Sequence, residues 1–216
     1  GLEHQRSSEN GMGTDYFTGW NEKTGFGDLL PHEMTHSWNG KYRRPADQFV
    51  PNLNTPLEDS LLWVYEGQTQ YWGNVLAARS KLRPMDRPRD ALAMVVATYQ
   101  DNRPGLAWRS VLDTTNDPII SARRPKPYRN YQLSEDYYSA GQLIWLGVDA
   151  LIREKTAGKK SLDDFARAFF GVNDGQWEVP APYTPDDVVA ALNAVYPYDW
   201  KTYLSDRIAG RVPYTG

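Results

Sequence analysis

The chain has no cysteine in its 216 residues, which excludes disulfides, thiolate metal sites and cysteine nucleophiles at once. The redox compartment is left open by that absence. Histidine is nearly as scarce, with three residues. Long apolar runs are also missing: the longest, Ala91 to Ala97, falls far short of the roughly 20 residues that a membrane-crossing helix needs. There is no basic excess either. A formal net charge of −3 leaves nothing to neutralise a phosphate backbone, so nucleic acid is excluded as a partner. The short basic stretch Arg123-Arg124-Pro125-Lys126-Pro127 reads as a solvated loop. Neither a Met nor a signal peptide opens the chain, so it reads as a fragment or a processed product, and no compartment is assigned.

What is present is concentrated in five residues. His32-Glu33-Met34-Thr35-His36 uses two of the three histidines, and on a helix residues at i and i+4 share a face with Cβ atoms roughly 5–6 Å apart. Both rings can then reach one ion. Glu33 points off that line and is free to handle a proton, which is the division of labour in the H-E-x-x-H pattern of zinc peptidases.

With 40% apolar residues the chain can bury one good core, and it is read as a single domain. Residues 1–25 form an extended and loop segment, 26–82 a pair of helices carrying the metal site, and 83–216 a helical lobe. Residues 1–8 suit a short strand in which Gly1 allows close backbone approach; the glycines of 9–25 mark a loop without a phosphate-binding fingerprint. Asp28 caps a first helix in which Pro31 is tolerable near the start, and Asn39-Gly40 ends it. Thr55-Pro56-Leu57-Glu58 carries the signals of a helix start, and the three- and four-residue steps of Leu62, Tyr65, Thr69, Trp72, Gly73 and Leu76 predict a helix to about Leu82. Further helices are expected over Asp90–Asn102, Asp136–Thr156, Ser161–Gly171, Thr184–Tyr196 and between Asp199 and Gly210, with residues 106–130 irregular. The fold class is therefore mainly α with a short β segment at the N-terminus.

A catalytic zinc takes three protein ligands and keeps a fourth position for water, so the two histidines need a partner. Glu66, a carboxylate on a mostly apolar helix face in Trp63-Val64-Tyr65-Glu66-Gly67, is that candidate, because a buried charge needs a counter-charge. Whether Gln70, one turn further on, orients a ligand does not follow from spacing. Water activated by the ion would attack a peptide carbonyl, with Glu33 as general base and a tyrosine, Tyr137 or Tyr138, stabilising the oxyanion.

Taken together, Gly1-Leu2-Glu3-His4-Gln5-Arg6-Ser7-Ser8, His32 to Lys41, Trp63 to Gly67, Asp136-Tyr137-Tyr138-Ser139-Ala140-Gly141 and, more loosely, Ser161 to Phe165 resemble the thermolysin-like zinc peptidases. Within them the likeness is to the glycyl aminopeptidase group, distant relatives of aminopeptidase N. The resemblance implies a thermolysin-like catalytic domain with one zinc ion held by His32, His36 and Glu66, and with Glu33 as catalytic acid and base. It also implies Tyr138, in Tyr-Ser-Ala-Gly, as the oxyanion donor. Gly1-Leu2-Glu3-His4 resembles the last four positions of a Gly-x-Met-Glu-Asn segment, which makes Gly1 and Glu3 substrate-binding residues and Glu3 the anchor for a free amine; Leu2 and His4 depart from it. The expected activity is removal of small N-terminal residues from a peptide substrate. Zinc endopeptidase activity and a zinc-stabilised peptide-binding module without turnover are the rivals. A β-rich domain before and a PDZ-like domain after the catalytic one are expected in the group, so intramolecular contacts to both are implied, and the opening strand is expected to lack its sheet neighbours.

Overall fold

The computed structural model describes residues 1–20, 27–118, 127–176 and 178–210. The chain opens with β1 (Leu2–Glu3) and β2 (Ser8–Glu9), paired antiparallel with Leu2 opposite Glu9 and Glu3 opposite Ser8. The opening strand therefore has a neighbour supplied by its own chain, contrary to expectation. Residues 13–19 turn back on themselves through Tyr16 N to Gly13 O and Gly19 N to Asp15 O. Residues 21–25 of the expected loop, and 123–126 of the basic stretch, lie outside the described residues.

Helix α1 (Leu29–Thr35) follows, and then β3 (Arg43–Pro45), which pairs in parallel with the distant β4 (Ala181–Tyr183). Between them run α2 (Leu62–Tyr65), α3 (Gly67–Arg79), α4 (Asp86–Asp101), α5 (Val111–Thr114), α6 (Arg129–Gln132), α7 (Ser139–Lys155) and α8 (Leu162–Phe170). The last two helices are α9 (Pro185–Val195) and α10 (Trp200–Ile208). The described residues are mostly helical with a short N-terminal β segment, as the periodicity implies. None of their helices is long and apolar enough to cross a membrane.

Several boundaries differ from the sequence signals, for local reasons. The helix signalled at Thr55 begins only at Leu62. Thr55 Oγ1 donates to Asn52 Oδ1 at 3.2 Å instead of capping, and the amide of Glu58 goes to the carbonyl of Asp47 at 3.0 Å. The helix also breaks at Glu66, between α2 and α3. Asp28 makes no capping bond, since its carboxylate accepts from Gln70 Nε2 at 2.6 Å. Helix α4 starts four residues before Asp90, because Pro88 sits in a first turn whose amides lack partners in any case. Asp136 precedes α7 rather than starting it; its carboxylate takes the amide of Ser134 at 2.6 Å, Arg103 Nε at 3.0 Å and the hydroxyl of Tyr99. The 106–130 stretch holds short α5, with a Ser110–Asp113 capping box, and the start of α6. At α8 and α9 the expected boxes form, Ser161 with Asp164 and Thr184 with Asp187.

Helix α3 lies between α1 and α7. Its two glycines make both approaches close. A Cβ on Gly67 would stand 2.7 Å from Gly141 Cα and 2.8 Å from the carbonyl of Tyr137, while one on Gly73 would stand 3.1 Å from His32 Cβ. The core spreads from α7, where Ile144, Trp145, Val148 and Ile152 are wholly buried against Leu162, Phe165, Val188, Leu192 and Trp200. Buried Asp149 ties three helices together by accepting from Tyr71 Oη at 2.8 Å, the Leu162 amide at 2.7 Å and Arg153 Nε at 2.8 Å.

Because Gly67 faces backbone that cannot swing aside, Gly67→Ala should overpack the α3–α7 contact. We expect a net loss of about 2 kcal/mol even after the gain in helix propensity, seen as a melting temperature lower by about 4–8 °C. An unchanged or raised melting temperature would show that the two backbones do not meet at this point.

Candidate metal centre

Helix α1 presents His32 and His36 on one face, one turn apart, and the break between α2 and α3 turns Glu66 toward them. The two Nε2 atoms lie 3.1 Å apart, and Glu66 Oε2 lies 3.4 Å from that of His32 and 3.2 Å from that of His36. Bonds of about 2.0–2.1 Å to a tetrahedral zinc would separate ligand atoms by roughly 3.3 Å. The triangle thus has the size such an ion requires. Glu66 Oε2 is buried and has no aligned hydrogen-bond donor despite its two close nitrogen contacts, so it fits a cation better than a hydrogen-bond network. His36 Nδ1 lies 3.0 Å from the carbonyl of Asn39; donating there leaves the Nε2 lone pair aimed at the centre. His32 Nδ1 is buried without a partner.

Burial alone would raise the Glu66 pKa, but the two imidazoles outweigh it and hold the carboxyl down to about 2. His36 shows the reverse balance: burial pushes its pKa down, while Glu66 and the Asn39 carbonyl bring it above the usual value. The negative charge of Glu66 thus calls for a cation at this centre.

Glu33 is buried beside this triangle. Its Oε1 lies 3.3 Å from the main-chain nitrogen of Gly1, and its Oε2 has no hydrogen-bond partner. A Cβ on Gly1 would collide with the Glu33 carboxylate where it now stands, so a side chain there would have to displace that carboxylate. Tyr138, the N-cap residue of α7, places its ring 6.1 Å from that of His32. Burial, then the charge of Glu66, drives the pKa of its hydroxyl far above the ordinary phenol value, so it keeps its proton. Tyr137 is buried against the core and reaches the wall of a larger adjoining cavity.

Glu3 comes in from β1. It accepts from Tyr65 Oη at 2.6 Å and faces Lys41 Nζ at 3.3 Å, both through Oε1. Burial works against its charge, but the Tyr65 bond and the nearby His36 and Lys41 prevail and leave its pKa below the usual range. Glu3, Glu33 and His36 also have ligand atoms within 4.8 Å of one another. They do not form a second metal site, because both nitrogens of His36 are already directed, one at the triangle and one at Asn39.

The histidines, Glu66, Glu33, Glu3, Gly1 and Tyr138 all line one cavity of about 260 Å³. Gly1, Glu3, Glu66 and Tyr138 also line an adjoining cavity of about 540 Å³, with Lys41, Arg44 and Tyr65 on its walls. Gln70 lines the smaller cavity and spends its amide on Asp28, fastening the start of α1 to α3. Sequence reasoning missed Asn39, whose Nδ2 reaches the Val64 carbonyl at 2.9 Å and Thr69 Oγ1 at 3.0 Å, and the Tyr65–Lys41 pair around Glu3. Their one signal was position: Asn39 and Lys41 follow the histidine pair and Tyr65 adjoins Glu66.

The fold is shared with a crystal structure of an aminopeptidase N family protein from Idiomarina loihiensis, with a TM-score of 0.71, 23% identity, and coverage of 96% of this chain and 33% of that one. A zinc metallopeptidase of the M1 group from Deinococcus radiodurans, crystallised with a Tyr-Ser-Ala substrate, gives a TM-score of 0.48, 14% identity, and coverage of 86% and 33%. The chain thus spans about a third of the length of these relatives. No curated protein matches it. The M61 glycyl aminopeptidase family matches residues 25–144, a stretch that contains His32, Glu33, His36, Glu66 and Tyr138 and begins after Gly1 and Glu3. With more than half of its length inside that match, the chain belongs to the M61 glycyl aminopeptidase family.

Proposed function

We propose that this domain hydrolyses peptide bonds with one zinc ion held by His32, His36 and Glu66, and that it removes small residues such as Gly or Ala from the N-terminus of a peptide. The observation that carries the reading is the triangle of two imidazole nitrogens and a carboxylate oxygen, 3.1–3.4 Å on each edge, beside a buried carboxylate that is not part of it. When bound, the ion supplies Lewis acidity, polarising the scissile carbonyl and lowering the pKa of the attacking water toward about 7.

The remaining chemistry belongs to side chains. Glu33, with Oε2 unbonded, takes the proton released by the water and passes it to the leaving amine. Tyr138, kept protonated by burial and by the charge of Glu66, donates its hydrogen bond to the oxyanion that develops on the carbonyl. Glu3 is ionised and faces the same cavity, where it accepts the ammonium group of the substrate. Gly1 brings the backbone of β1 against Glu33 and lines the same space. The preference for a small first residue follows the name of the family to which the chain belongs.

Two outcomes test this reading. Glu33→Gln should retain one zinc per chain by elemental analysis while kcat on glycyl and alanyl amides falls by about 10²–10⁴-fold, whereas Glu66→Gln and chelator treatment should remove metal and activity together. Full activity in Glu33→Gln would dismiss the mechanism. Acetylating the N-terminus of a test peptide should abolish its cleavage, because a neutral amide gives Glu3 no cation to hold; equal rates for free and acetylated peptides would identify an endopeptidase instead.

A further inference from the structure

We propose that Tyr65 is a positioning residue that sets the distance between the amine-holding carboxylate of Glu3 and the metal corner, and so selects substrates whose free amine lies one carbon from the scissile carbonyl. This rests on the reading of Glu3 as the amine anchor. The need for such a residue comes from β1 itself. Among the described residues it is two residues long and pairs with the two of β2, and so short a ladder does little to fix the side chains it carries. A half-buried glutamate has flexible side-chain torsions, so a fixed carboxylate position calls for a partner that grips it.

Tyr65 provides the hold. Its hydroxyl donates to Glu3 Oε1 at 2.6 Å, and its ring centroid lies 5.0 Å from that of His36. One rigid side chain therefore touches a candidate zinc ligand with its ring and the candidate anchor with its tip. Its own backbone is fastened, since its carbonyl accepts from Thr69 Oγ1 at 2.6 Å and Asn39 Nδ2 at 3.3 Å. The ring passes over Gly40, where φ is +111° and a Cβ would strike the ring carbons, so the path of the phenol is kept clear by a residue that only glycine suits. Lys41 Nζ, 3.3 Å from the same oxygen, adds charge but sits on a flexible stem.

Tyr65→Phe in the zinc-loaded full chain removes one oxygen and keeps the ring. Losing a hydrogen bond to a charged group should raise KM for glycyl amides about ten- to a hundredfold with a much smaller change in kcat. The ratio of glycyl to β-alanyl amide cleavage should fall toward one, since a freed Glu3 can follow an amine one carbon further away. Zinc content should stay at the wild-type value. Lys41→Met, which leaves the Tyr65 bond in place, should keep the wild-type selectivity.

The proposal is overturned if Glu3→Gln raises KM for glycyl amides and Tyr65→Phe changes neither KM nor the selectivity ratio, or if Lys41→Met alone destroys the selectivity. Loss of zinc in Tyr65→Phe would also overturn it, by showing that the residue acts through His36. If Glu3→Gln itself leaves KM unchanged, the amine-anchor reading fails first.

Discussion

Everything at the candidate centre depends on how closely three helices approach. Helix α3 meets α7 at Gly67 against Gly141 and meets α1 at Gly73 against His32, and at neither crossing is there room for an ordinary side chain to keep its natural distance. Interiors pack densely and give little, so a few tenths of an ångström at either crossing would be passed on to the side chains carried between them. Glu66 stands directly before the first of these glycines and His32 faces the second. The close crossings are what bring atoms from residues 32, 36 and 66 within 3.4 Å of each other.

Bringing them together concentrates polar groups where water is scarce. Glu33 and Glu66 each have a buried oxygen without a hydrogen-bond partner, and His32 has a buried nitrogen in the same condition. Some buried carboxylates elsewhere are fully used, since Asp149 accepts three bonds and Asp136 is held by Tyr99, Arg103 and the Ser134 amide, whereas both amide atoms of buried Gln68 and the hydroxyl of Tyr183 also lack a protein partner. Leaving buried polar atoms unpaired costs about 1–3 kcal/mol each, and those at this cavity belong to two carboxylates and an imidazole, donor types that a cation satisfies. Around it, Asn39 joins the end of α1 to α2 and α3, and the Asp28–Gln70 bond joins its beginning, so the short helix is held at both ends by side chains rather than by caps of its own.

The parts of this fold that were legible in the sequence are those set by near neighbours in the chain. The Ser161–Asp164 and Thr184–Asp187 boxes form because both partners lie within four residues of each other. Thr55-Pro56-Leu57-Glu58 has equally good local credentials and makes no helix, because Asp47 and Asn52, brought near by the loop, offer its amide and hydroxyl groups other partners. Asp28 fails as a cap for the same reason, its carboxylate being taken by Gln70 from 42 positions away. Local propensity is a small term, and one competing hydrogen bond of similar strength reverses it.

The sequence alone determined that two imidazoles would share a helix face with a glutamate beside them, because the 3.6-residue period follows from backbone geometry whatever surrounds it. It also determined, through the absence of cysteine and of long apolar runs, which chemistries were closed to the chain. Only the tertiary structure decided how far Glu66 stands from those rings, that Glu3 is held by Tyr65 and Lys41, and that Tyr138 lines both adjoining cavities while Tyr137 lines the larger one alone. These are contacts between residues tens of positions apart, and their geometry is set by helix crossings and side-chain volumes, which no local pattern encodes.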